Sequence, residues 1–161
     1  MDKGVPDVSL ADGPAGLRLQ RRSAVLRNGK LKPVDPFIST MKYMPEAFKK
    51  VLLGDPDKHP VIYQFTTSFP VGLALAQTWN TELIKEEGKA IAEEALSMGV
   101  SIVLGPGCNI KRNPLCGRNF EYFSEDPYLS GKMGVSWING LQSTGVKASL
   151  KHFATNNQEF K

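Results

Sequence analysis

The sequence predicts a parallel α/β layer, and three observations carry that prediction. Short runs of β-formers alternate with helical patterns in the order strand, helix, strand, helix, strand. The turns from helix to strand are short and plain. The segments that leave strands are long and polar. In parallel α/β folds the carboxyl ends of all strands lie on one side, so residues distant in sequence converge there.

The elements follow in order. Val5 to Leu10 is apolar and weakly alternating, a short strand ended by Asp12-Gly13-Pro14. Leu19 to about Ser68 is irregular, broken by Pro33, Pro36, Pro45, Pro56 and Pro60, with one short helix over Pro45 to Leu53. It is too long for an ordinary connection and reads as an insertion at about 19–68. Thr81 to Met98 is the clearest helix. Asn80 suits its N-cap, Glu82 complements its dipole, and Ile84, Gly88, Ile91, Ala92, Ala95 and Leu96 line one face. Gly99 is placed to stop it. Val100 to Leu104 reads as a buried parallel strand. The same events repeat after a long polar loop. Tyr128 to Ser143 forms a helix with Leu129, Met133, Trp137, Ile138 and Leu141 inward, Gly145 ends it, and Val146 to Leu150 is the next strand.

Composition bounds the function. The chain has 161 residues, 41% hydrophobic and 22% charged, which marks a globular domain. No apolar run approaches the roughly 18 residues a membrane span needs, and the N-terminus has no apolar signal core. The expectation is a cytoplasmic protein without a membrane partner, unless a longer parent chain carries a signal. The net charge is +4, with much of the excess in Arg18, Arg21, Arg22, Arg27, Lys30 and Lys32. Aromatics are not interleaved there and no nucleic-acid motif occurs, so the run reads as a solvated loop. Cys108 and Cys116 fit neither a CxxC pair nor a zinc spacing, and His59 and His152 lie far away. Two free thiols and no metal are expected. Gly105-Pro106-Gly107 lacks the spacing of a phosphate loop, so neither nucleotide nor other cofactor is expected.

The candidate chemistry sits after strands. Asp12 is the first polar residue beyond the first strand and could accept from two neighbouring hydroxyls. Lys151-His152 follows the third strand, where a lysine needs solvent or a partner and the plain alternative is a surface lysine beside a satisfied core histidine. The pair could donate hydrogen bonds to an uncharged ligand, or Lys151 could form a Schiff base. Arg118 lies in the long loop beginning at Gly105, flanked by Gly117 and Asn119. Asp126-Pro127 reads as a cap and first-turn proline, and Glu121 and Glu125 as clamps on Arg112 or Arg118. Many hydrogen-bonding groups interleaved with flat rings suit a ligand polar at its edges and apolar on its faces, such as a sugar.

Four ordered blocks carry a family resemblance: Asp12-Gly13-Pro14-Ala15-Gly16-Leu17-Arg18; Phe69-Pro70; Asn109 through Pro127; and Lys151-His152-Phe153-Ala154 with Asn156-Asn157-Gln158-Glu159. The chain resembles the N-terminal barrel domain of family 3 glycoside hydrolases, in particular bacterial β-glucosidases. The resemblance implies a partial (β/α)8 TIM-type barrel, truncated after about three parallel strands, spanning 1–161 with the 19–68 insertion. It implies a retaining mechanism on terminal β-D-glucosyl residues, with an aspartate nucleophile and a glutamate acid/base. Asp12, Arg118, Lys151 and His152 match residues that hold sugar hydroxyls. The expected partner is a small-molecule β-glucoside or oligosaccharide, not nucleic acid, and the parent enzyme is free to assemble as a homo-oligomer.

The departures define further expectations. The family's nucleophile lies in a Ser-Asp-Trp-like motif, and neither Trp79 nor Trp137 sits in one. Neither catalytic carboxylate is matched, so the chain reads as a substrate-binding fragment of the parent enzyme, inactive and poorly folded by itself. The alternatives are a non-catalytic carbohydrate-binding fragment, a β-xylosidase-type specificity in the parent, or a Schiff-base lyase using Lys151.

Overall fold

The computed structural model describes residues 8–36, 38–153, 155–156 and 158–159. They divide into two units, one made of the segments that end at Arg18 and resume at Thr66, the other of Leu19–Phe65.

The first unit is the parallel α/β layer. Strands β1 (Leu10–Asp12), β5 (Ile102–Gly107) and β6 (Lys147–Lys151) form a sheet in the order β1-β5-β6. Both pairings are parallel, with Leu10 opposite Ile102, Asp12 opposite Leu104 and Gly107 opposite Lys151. The expected order of elements is therefore present, with the strands set later in the sequence. The first strand ends on Asp12 rather than before it, and Val5 to Asp7 lie outside the described residues. The second strand continues through Gly105-Pro106-Gly107. A register shift at Leu104/Gly105 lets that segment stay paired with β6 despite its proline.

Helix α2 (Gly72–Ala76), absent from the sequence reading, precedes α3 (Thr81–Ser97). Asn80 caps α3 by accepting from the backbone N–H groups of Glu82 and Leu83, both at 3.1 Å. Gly99 ends it at φ +70°. Helix α4 (Pro127–Gln142) has Asp126 as N-cap, accepting from Leu129 N–H at 2.8 Å, and Pro127 in its first turn. The two long helices pack closely because Gly88 and Gly140 carry no side chain. A Cβ at Gly88 would strike the Trp137 carbonyl, and one at Gly140 the Lys85 backbone. Ile84, Ile91, Ala92, Ala95, Met133, Trp137 and Leu141 fill the core as expected. Leu96 does not. It is exposed, and Glu87 takes a buried place on the same helix.

The second unit was expected to be irregular apart from one helix. It contains that helix, α1 (Glu46–Leu52), with Pro45 just before it. It also contains an antiparallel sheet, β3-β2-β4, from β2 (Arg22–Val25), β3 (Leu31–Pro33) and β4 (Val61–Tyr63). Asn28-Gly29 forms the β2–β3 connection with Gly29 at φ +77°, a hairpin signal that the prolines obscure. Pro33 is tolerated because β3 is an edge strand. No helix among the described residues is long and apolar enough to cross a membrane.

Candidate functional site

Parallel register sets the carboxyl ends of β1, β5 and β6 side by side, and the polar residues gather there. Asp12 closes β1 and Lys151 closes β6. Lys151 Nζ donates to Asp12 Oδ1 across the end of β5. Arg18 Nη1 lies 3.5 Å from Asp12 Oδ2. The turn Gly13 to Leu17 makes that approach possible: Arg18 N–H donates to the Asp12 carbonyl at 2.8 Å, closing the chain back on the strand end. Gly16 has φ +107°, and a Cβ there would collide with the Thr67 carbonyl, so this position requires glycine.

The long loop after β5 supplies the other half. Arg118 Nε donates to Glu121 Oε1 at 2.5 Å, and Glu159 Oε1 stands 3.7 Å from the same Nε. Arg118 Nη2 is 2.6 Å from His152 Nε2. Tyr122 Oη lies 3.1 Å from His152 Nδ1, and Asn156 Nδ2 donates to that hydroxyl at 2.7 Å. Asn109 is buried beside β5. Its Oδ1 accepts from His152 N–H at 2.8 Å and its Nδ2 donates to the His152 carbonyl at 3.2 Å. Glu121 is held from behind by α2, where Gly72 lets the helix reach the Glu121 carbonyl.

Thus Asp12 meets Lys151, Arg118 meets His152, and the Lys151–His152 backbone joins the two pairs. Glu121 clamps Arg118, as one of the two alternatives proposed for it, while Asp126 serves as a cap. Sequence reasoning missed Arg18, counted with the solvated basic run, and Asn109, Tyr122 and Asn156. The Asp12-to-Arg18 block contained the signal for Arg18. Nothing in the spacing announces that Asn109 and Tyr122 contact His152, or that Asn156 donates to Tyr122. Ala154 and Asn157 lie outside the described residues.

The electrostatics are balanced. Asp12, Glu121 and Glu159 oppose Arg18, Arg118 and Lys151. The hydrogen bond to Glu121 raises the Arg118 pKa. Burial, then the charges of Arg118 and Lys151, hold His152 below its ordinary value. Burial likewise raises Tyr122, and pushes the Cys108 thiol up to about 11, which leaves it an unreactive thiol. Both cysteines are free. No group of three metal-ligating side chains occurs among the described residues.

A cavity of about 300 Å³ opens beside the cluster, lined by Pro14 to Arg18, Thr66 to Phe69, Phe120 and Glu121. Such a volume lies at the small end of ligand sites. A hydroxyl group both donates and accepts. An array of alternating carboxylates and cations can therefore hold several hydroxyls of one uncharged ligand, each bridging a charge of either sign.

The model of the glycosyl hydrolase family 3 N-terminal domain matches residues 57–159. The thermostable β-glucosidase B of Acetivibrio thermocellus is 44% identical over 156 residues, covering 97% of this chain and 17% of the relative. An exo-α-(1→6)-L-arabinopyranosidase of Bifidobacterium longum is 41% identical over 157 residues, 98% of this chain and 17% of the relative. The structure of β-glucosidase 3B from Thermotoga neapolitana in complex with glucose superposes with TM-score 0.70 at 44% identity, over 97% of this chain and 17% of that one. The chain thus spans about one sixth of the length of these relatives, and its three-stranded parallel sheet corresponds to part of a TIM barrel.

Proposed function

We propose, for a chain that belongs to glycosyl hydrolase family 3, that these residues form the hydroxyl-binding part of a retaining glycosidase acting on terminal β-D-glucosyl residues. The carrying observation is Asp12, whose two carboxylate oxygens are engaged by Lys151 and Arg18 at the common end of the parallel strands. Asp12 accepts from adjacent sugar hydroxyls. Lys151 and Arg118 donate to the same ring, and His152 borders it. Such contacts orient the ring and strengthen as it flattens toward an oxocarbenium ion. The nucleophile and the acid/base are supplied by polypeptide outside these 161 residues, since no Ser-Asp-Trp motif occurs within them. These residues contribute to holding the sugar and not to cleaving it.

Lys151 is less suited to Schiff-base chemistry, because its Nζ is paired with the Asp12 carboxylate. The arabinopyranosidase relative favours one rival within the family, a pentopyranose in place of glucose. Calorimetric titration with D-glucose, D-xylose and L-arabinose tests the reading. Saturable binding preferring glucose, weakened by Asp12→Asn, supports it. Binding that Asp12→Asn leaves unchanged overturns it, and a pentose preference replaces the sugar.

A further inference from the structure

We infer that Asn109 is a positioning residue that holds His152 as the neutral Nδ1-protonated tautomer, with the Nε2 lone pair committed to Arg118. The argument starts at the backbone. A backbone N–H can only donate and a carbonyl can only accept. The Asn109 amide faces both of those groups of His152, N–H at 2.8 Å and carbonyl at 3.2 Å. Its Oδ1 and Nδ2 are therefore assigned without reference to the imidazole, and the amide cannot flip.

That same Oδ1 lies 3.1 Å from His152 Nδ1. An amide oxygen only accepts, and the Tyr122 hydroxyl, also 3.1 Å from Nδ1, is able to accept beside it, so Nδ1 carries the proton. Arg118 imposes the same answer from the other side of the ring. A guanidinium has donors alone, and its Nη2 stands 2.6 Å from Nε2, which must then be the bare nitrogen. Two independent contacts thus select one tautomer. The lowered pKa of His152 is consistent with both, since protonation would set an Nε2–H against an Arg118 N–H.

The consequence concerns Arg118, and rests on the sugar-site reading above. Glu121 fixes its Nε and His152 fixes its Nη2, so the guanidinium plane is held at two points. Among the described residues its Nη1 edge has no partner and is available to ligand oxygens. Asn109 reaches that edge only through the imidazole. It touches no ligand in this role; it sets which nitrogen of His152 can support the arginine.

Imidazole nitrogen shifts of the ¹⁵N-histidine-labelled chain test this directly, because the chain holds only His59 and His152 and His59→Gln assigns them. At pH 8 His152 is expected to show a protonated Nδ1 and a bare Nε2. Asn109→Leu should move His152 toward a mixture. Asn109→Asp should raise its titration midpoint by roughly one unit or more, since a carboxylate favours the imidazolium. The charged groups facing His152 are otherwise unchanged: Arg118 and Lys151 lower its midpoint, Glu121 and Asp12 raise it. A protonated Nε2 or a tautomer mixture in the native chain overturns the inference. So does a pattern that both Asn109 variants leave unaltered. D-Glucose added to the same sample separates the two proposals: no response to sugar with the Nδ1 signature intact sinks the sugar-site reading and leaves the tautomer standing.

Discussion

The two units use charge in opposite ways. Leu19–Phe65 carries nine lysines and arginines against four acids, whereas the parallel unit carries eleven against twelve. All of the chain's positive excess therefore resides in the antiparallel unit. There, the charges are mostly solvated and exposed. Its ion pairs among the described residues, Arg22–Asp35, Lys49–Glu46 and Lys58–Asp55, each keep at least one side chain 40% exposed or more. In the parallel unit the near-neutral total conceals a concentrated cluster in which each charge has an opposite neighbour. All of the basic run but Arg18, read from the sequence as a solvated loop, falls in the antiparallel unit. The proposed sugar site lies where the charges cancel, as expected of a ligand that needs donors and acceptors in balance rather than a field.

The units also differ in how they are held together. The parallel unit buries large side chains between α3, α4 and the sheet. The antiparallel unit buries mainly Ser23, Ala24 and Met41, and α1 buries none of its residues. This contrast ranks the expected effects of substitution. Trp137→Ala should be the most damaging, because the indole is 1% exposed and its tip lies against Gly105 of β5. A loss of about 3–5 kcal/mol is expected in denaturant unfolding. A loss below about 1 kcal/mol would show that the helix–sheet packing is not what holds this unit.

The next effect belongs to the cluster. Asp12→Asn removes a charge facing both Lys151 and Arg18, and sugar affinity in calorimetry should fall roughly tenfold to a hundredfold, the range for hydrogen bonds to charged groups. The third is a pH effect within the core. Glu87 is 8% exposed, its Oε1 has no partner among the described residues, and burial raises its pKa to about 8. The folded state therefore keeps a proton that the unfolded chain releases near the ordinary value of 4.5. The stability from this group is complete below that value and is lost as pH rises through 8. Glu87→Gln should abolish the loss, so its advantage in thermal midpoint should grow by several degrees from pH 5 to pH 9. An advantage equal at both pH values would refute the buried neutral acid. The smallest effect is expected for Arg22→Ala in the antiparallel unit, with no measurable change in midpoint.

Much of the parallel unit was legible in the sequence because its signals are local. Asn80, Gly99, Asp126, Pro127 and Gly145 mark helix ends through their own backbone chemistry, and the helices fall within a residue or so of the expected bounds. Strand positions were less legible. The pairing of Gly107 with Lys151 carries β5 through Gly105-Pro106-Gly107, a segment whose composition argues for a loop. Partners 44 residues apart leave no local trace. The hairpin at Asn28-Gly29 was hidden by surrounding prolines, one of which occupies an edge strand where no inward N–H is needed.

The candidate site divides the same way. Asp12, Lys151 and His152 could be named from sequence because each stands at a strand end, and Arg118 because its loop is too polar for a core. The identities and order of these residues, and the family they indicate, were thus set by the chain alone. Only the folded molecule decided the pairings: Arg18 turned back on Asp12, Glu121 on Arg118, and Asn109 and Tyr122 on one imidazole nitrogen. The reason is geometric. A helix cap is satisfied within four residues, whereas a hydrogen bond spanning 43 residues, like that from His152 to Asn109, exists only once parallel register has brought two strand ends together.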